Sequence, residues 1–172
     1  MRWWWLALVL LVTSCSSPAS TQLANTRPAP AASEHSDGDA LVSLALERFL
    51  ADPKTLPDAG LLPKVGPIYV LREIGDSGAV SQAALPAARR PFVLIALADA
   101  QAQADRSNDS VHFIKFDGVS VNGTTAAVTV GVDFVMPKST SAIKMCCCAG
   151  TDTYEKRGGQ WAFVRRGLMS CS

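Results

Sequence analysis

The sequence predicts an α+β fold, an antiparallel sheet meander of four to six strands packed on two helices. Three observations predict it. Residues 39–51 and 91–105 repeat apolar side chains at helical spacing. The last third of the chain alternates apolar and polar residues with a period of two. Asn122-Gly123 and Gly158-Gly159 stand between alternating runs, where two-residue hairpin turns belong. Helices placed ahead of a run of antiparallel strands give a sheet with its helices segregated to one face.

The chain opens with MRWWWLALVLLVTSC, one positive charge (Arg2) followed by an apolar run over residues 3–12. That run is half the length a bilayer span needs, and a charged start, a short apolar core and small residues mark a secretory signal. Val12-Thr13-Ser14-Cys15 resembles the lipobox of bacterial lipoprotein precursors. The resemblance implies cleavage before Cys15, acylation of that residue (palmitate-type chains) and membrane attachment through its lipid. Ser16 follows the cysteine where an aspartate would imply retention at the inner membrane. The implied address is therefore the outer membrane, with the domain facing the periplasm. The expected division is a signal over 1–14, a lipidated flexible tether over 15–38 and one domain over 39–172. Residues 16–38 are Ser, Thr, Ala, Pro and Asn with scarcely a large apolar side chain, too little to offset the entropy of ordering.

Residues 39–51, DALVSLALERFLA, read as the first helix. Asp37 or Asp39 serves as cap, Val42, Leu46, Phe49 and Leu50 share one face, and Asp52-Pro53 ends it. Residues 53–67 are proline-punctuated loop. Residues 68–74, IYVLREI, have the β-branched and aromatic content of a short strand. Asp76-Ser77-Gly78 is a turn, and residues 81–86 make one helical turn. Pro91 opens the second helix, since proline suits the first helical position; Val93, Ala96, Leu97, Ala100 and Ala104 form its apolar face. Strands follow over residues 111–121 and 124–135. In the second of these Ala126, Val128, Val130, Val132 and Phe134 share the buried face. Residues 141–148 and 151–156 continue the meander, Gly158-Gly159 reverses it, and residues 160–168 close it. This element order resembles the cystatin-like or nuclear-transport-factor-2-like cone, in which a curved sheet wraps a helix.

Hydrophobic residues make up 48% of the chain and charged ones 18%, enough for one buried core. Sixteen Lys and Arg oppose fifteen Asp and Glu; loss of Arg2 with the signal would leave the side chains balanced. A neutral chain gives no electrostatic case for nucleic acid, and attachment to a membrane falls to the lipid on Cys15.

Beyond Cys15 lie Cys146, Cys147, Cys148 and Cys171. An oxidising compartment makes a disulfide the default. With Gly158-Gly159 as a two-residue turn, Arg157 faces Gln160, Tyr154 faces Phe163, and Cys146 faces Cys171. That last pair is a non-hydrogen-bonded one, with Cα atoms about 4.5 Å apart, within reach of a bridge. One bulge would offer Cys147 instead, and Cys148 is the remaining alternative. Consecutive cysteines alternate faces, and their spacing matches no zinc pattern, so no metal or other cofactor is expected. His112, in VHFIKF, is the one histidine of the folded region; a pairing with Cys147 or Cys148 is conceivable, but an oxidising compartment opposes a free nucleophile. Glu47, Glu73 and Asp133 have no evident partner. With no nucleophile elbow or phosphate loop, the expectation is a binding or interaction module, not an enzyme. The alternatives are an immunity or inhibitor lipoprotein against a cell-wall hydrolase, presenting the 53–67 or 136–142 loop, a small-molecule carrier or enzyme, and a structural component of the envelope in complex with other membrane proteins. The carrier would have a cone-shaped pocket floored by Val128, Val130 and Phe134, with His112 or Asp133 at its mouth.

Overall fold

A computed structural model describes residues 32–75, 78–141 and 147–171, with side chains from residue 37 onward. The signal, Cys15, most of the expected tether, the Asp76-Ser77 turn and Cys146 lie outside the described residues. The elements run α1 (Ala32–Ala51), β1 (Ile68–Ile74), β2 (Gly78–Ala79), β3 (Phe92–Ile95), α2 (Leu97–Ser107), β4 (Val111–Asn122), β5 (Thr125–Val135), β6 (Cys148–Arg157) and β7 (Gln160–Cys171). They form an α+β domain with an open, mostly antiparallel sheet of order β2-β1-β4-β5-β6-β7, with β3 beside β1. No helix among the described residues is long and apolar enough to cross a membrane.

Helix α1 begins seven residues before Asp39, inside the stretch expected as tether. Asp37, inside the helix, is not a cap but is held by Lys156 and Trp161 of the last hairpin. Asp39 does not cap either and accepts from Ser81 Oγ at 2.8 Å. The helix buries Leu41, Val42, Leu46 and Phe49 against Val70, Ile114, Phe116, Val128 and Val132 of the sheet. Leu50, expected on that face, is 40% exposed.

The second helix differs most from expectation. Pro91 opens a strand, not a helix: Phe92–Ile95 pairs parallel with β1, and the helix starts only at Leu97. The apolar-all-round start of that segment is a short parallel strand of β-branched and bulky residues, with Phe92 and Ile95 buried, Leu94 half-buried and Val93 exposed. Val93 and Leu97 are exposed, and only Ala100 and Ala104 of the helix are buried. β3 and β4 both run parallel to β1 and flank it, which breaks the expected antiparallel meander. Joining parallel strands needs a crossover, and α2 supplies it. It packs on the other face of the sheet from α1, with Leu71, Ile95, Val111 and Phe113, so the helices are not segregated to one face.

In the β4–β5 hairpin the turn is Gly123-Thr124, one residue later than expected, with Asn122 facing Thr125. Gly123 takes φ +59, where a glycine costs least. The inward set Ala126, Val128, Val130 and Val132 is buried as expected. Gly131 is needed for a different reason: a Cβ there would strike the backbone of Cys148 and Ala149 on β6.

Gly158-Gly159 turns β6 into β7 with φ +57 and +83, and Tyr154 faces Phe163 as the turn dictates. Farther out the register slips twice, between Thr153 and Tyr154 and between Gly150 and Asp152. Each slip adds one residue to β7. The bridge therefore joins Cys148 to Cys171, with Cα atoms 4.1 Å apart, and the first choice, Cys146 with Cys171, is corrected. One bulge would have selected Cys147; two select Cys148.

Candidate functional site

α1 and the β6–β7 hairpin meet along one flank of the domain, and their junction holds the best-built polar site. Asp37, Ala40, Leu44 and Glu47 follow one another at helical spacing along a stripe beside the buried face of α1. Opposite them stand Gly159, Gln160 and Trp161. Between the two lies an open groove of about 450 Å³, also lined by Ser43.

One carboxylate ties the groove's two walls together at one end. Lys156 Nζ donates to Asp37 Oδ1 at 2.8 Å and Oδ2 at 3.0 Å, and the indole Nε1 of Trp161 donates to Oδ1 at 3.0 Å. The Lys156 ammonium also lies 5.4 Å from the Trp161 ring centroid. These donors, Lys156 first and Trp161 second, hold the Asp37 carboxyl below its ordinary value of 3.8. A lowered carboxyl stabilises the fold above its unfolded pKa and loses that contribution as pH falls through its folded one. The clasp is therefore complete at neutral pH and opens only in acid, below pH 3.8. In Asp37→Ala the downfield indole N–H resonance of Trp161 is expected to move to the position of a solvated indole, with faster amide exchange in the first turns of α1. An unmoved resonance would show that the clasp does not form.

Glu47 is exposed at the far end of the groove, with Ser43 Oγ donating to it at 3.5 Å. The groove thus offers an aromatic edge, an amide at Gln160, a hydroxyl and an open carboxylate. That set orients a ligand by hydrogen bonds and apolar contact and supplies no nucleophile.

Between α1, β6 and β7 sits a charge network that sequence reasoning missed. Asp152 is 2% exposed. Arg48 Nη1 donates to its Oδ2 at 2.5 Å, and Arg166 donates from Nε to Oδ1 at 2.9 Å and from Nη2 to Oδ2 at 3.3 Å. Arg166 Nη2 also donates to the Thr55 carbonyl. The Arg48 guanidinium lies 3.3 Å from the Phe163 ring centroid and reaches the Tyr154 hydroxyl at 3.4 Å. Burial, the largest influence, pushes the Tyr154 hydroxyl up from 10.0. A signal existed: Asp152 shares the inward parity of Tyr154 on β6, and a carboxylate there demands paired cations.

The residues weighed for chemistry fall on opposite faces of the sheet. His112 stacks on Phe134, ring centroids 5.2 Å apart, and burial holds it below 6.5. Cys147 instead donates its thiol to Asp133 Oδ1 at 3.3 Å, with Lys115 3.9 Å from the same carboxylate. These line a small hollow of about 60 Å³ with Asp117. The sheet thus separates His112 from Cys147. No group of three or more metal-ligating side chains converges among the described residues. Val128 and Val130, the expected floor of a carrier pocket, are instead packed in the main core.

No known protein family, curated protein or solved structure matches this chain.

Proposed function

We propose that the chain is a lipid-anchored binding module of the bacterial envelope, held at the outer membrane by an acylated Cys15, with the α1–hairpin groove as its binding surface. The groove carries the reading: a polar cleft with an indole clamped at one end and an open carboxylate at the other suits recognition. The lipobox residues Val12 to Cys15 supply the address. The packed core at Val128 and Val130 counts against a carrier with an internal pocket. The cone plan expected from element order belongs to the same proposal: α1 laid along β4 and β5 supports it, and α2 on the opposite face is an addition to it.

A photo-crosslinking amino acid at Gln160 in growing bacterial cells tests the groove, with a second at Val65, which is 81% exposed in the proline-rich loop. The expected result is a defined adduct from position 160 that falls several-fold with Glu47→Ala. Adducts from position 65 alone would favour the inhibitor reading, in which the 53–67 loop meets a hydrolase. Adducts from neither would overturn the binding reading.

A further inference from the structure

β7 is an edge of the sheet, paired on one side only, with β6. Its side chains are unusually apolar for an edge. Phe163 and Val164 are 37% and 39% exposed, Met169 60% and Leu168 89%. The two register slips fall at these residues, beside Val164 and at Gly167-Leu168, and a bulge re-aims side chains away from the pleat. Bulges also spoil an edge as a template for a further strand, so the exposed apolar groups are presented as side chains and the backbone is guarded. Arg165 stands exposed among them, and no carboxylate occurs between Gln160 and Cys171. A full-length pairing of β7 with its own copy would set Arg165 against Arg166, which repels. The chain also enters the domain here: Asp37, near the start of α1, is joined to Trp161 at the start of β7.

We propose that β7 is the face by which the domain rests on an anionic lipid surface. Leu168 and Met169 enter the boundary between headgroups and acyl chains, and Arg165 meets headgroup phosphate oxygens. The inference rests on the anchoring read from Cys15. About 16 residues lie between Cys15 and the start of α1 at Ala32, so a lipid on Cys15 holds the domain close to its own membrane. The lipid contact falls on residues 163–169 of β7, while the groove uses Gly159, Gln160 and Trp161 beside the turn, so the two surfaces take different stretches of the hairpin.

The test is hydrogen exchange over residues 163–171 of the full chain, purified with its membrane attachment. It is placed on vesicles of phosphatidylethanolamine with phosphatidylglycerol and, separately, on neutral phosphatidylcholine vesicles. Exchange of the outward amides is expected to slow about tenfold on the anionic vesicles relative to the neutral ones. The slowing should vanish in Leu168→Asp/Met169→Asp and fall several-fold in Arg165→Glu, whose exposed side chain leaves the fold intact. Equal exchange on both vesicles, or slowing that survives both variants, overturns the proposal. Slowing on neutral vesicles that grows with protein density would also overturn it, in favour of a second copy. The intact mass of the same sample separates the two readings. A mass without acyl groups would sink the anchoring, while slowing on anionic vesicles alone would still uphold the face.

Discussion

Asp152→Ala is expected to destabilise the domain by about 3 kcal/mol. Removing the carboxylate leaves two guanidiniums, Arg48 and Arg166, facing a space that no longer holds a negative charge. Breaking a buried pair from one side costs about 3–5 kcal/mol. The lower end applies here because the two arginines keep 20% and 30% of their side-chain surface. For a chain of this size that is a fall in Tm of about 10 °C. Urea unfolding reads it without the screening that a guanidinium salt would add. Replacing the three residues together, Asp152→Leu with Arg48→Met and Arg166→Met, should recover much of the loss, since apolar groups of similar volume often serve as well. A loss below about 1 kcal/mol for Asp152→Ala would mean that water already solvates the cluster, and the three-way clamp between α1, β6 and β7 would then be unimportant.

Cys148→Ser is expected to cost a similar amount, about 3 kcal/mol, because the bridge closes a loop with a sequence separation of 23. Cys146→Ser is expected to cost much less and to leave Cys171 protected from alkylation until reduction. The contrast tests the register as well as the bond. If Cys146→Ser exposed Cys171, the hairpin would have no bulges and the pairing read from the turn alone would hold. Fragmentation of the peptide linked to Cys171 would identify the partner sulfur directly.

Local signals were legible wherever one short stretch decided the outcome. β1 spans the residues that its β-branched content picked out, and Gly158-Gly159 turns where two glycines permit positive φ. Signals failed where a distant contact decided. The role of Asp37 depends on Lys156 and Trp161, more than a hundred residues away, which hold it where a cap was expected. Residues 92–95 look apolar on every side whether read as a helix or as a parallel strand, and only the neighbouring β1 settles which forms. The two bulges in β7 leave no mark in composition, so counting outward from the turn succeeded through Tyr154 and failed beyond it. The groove was illegible for the same reason. Its two walls come from opposite ends of the domain, and Trp161 and Glu47 look like ordinary surface residues until α1 lies beside the hairpin.

The double slip in β7 casts the cysteine triplet as a vernier. Cys146, Cys147 and Cys148 mark three successive positions on one side of the hairpin, and Cys171 is the single pointer on the other. A hairpin with no extra residue reads the first mark, with one the second, and with two the third, as here. Closure of the hairpin is thereby freed from the bulges in one direction only. Loss of one extra residue's bulge would bring Cys147 opposite Cys171 and loss of both would bring Cys146, whereas a third slip would place Ala149 there and leave Cys171 unmatched, so the covalent frame tolerates a straighter β7 but not a more bulged one.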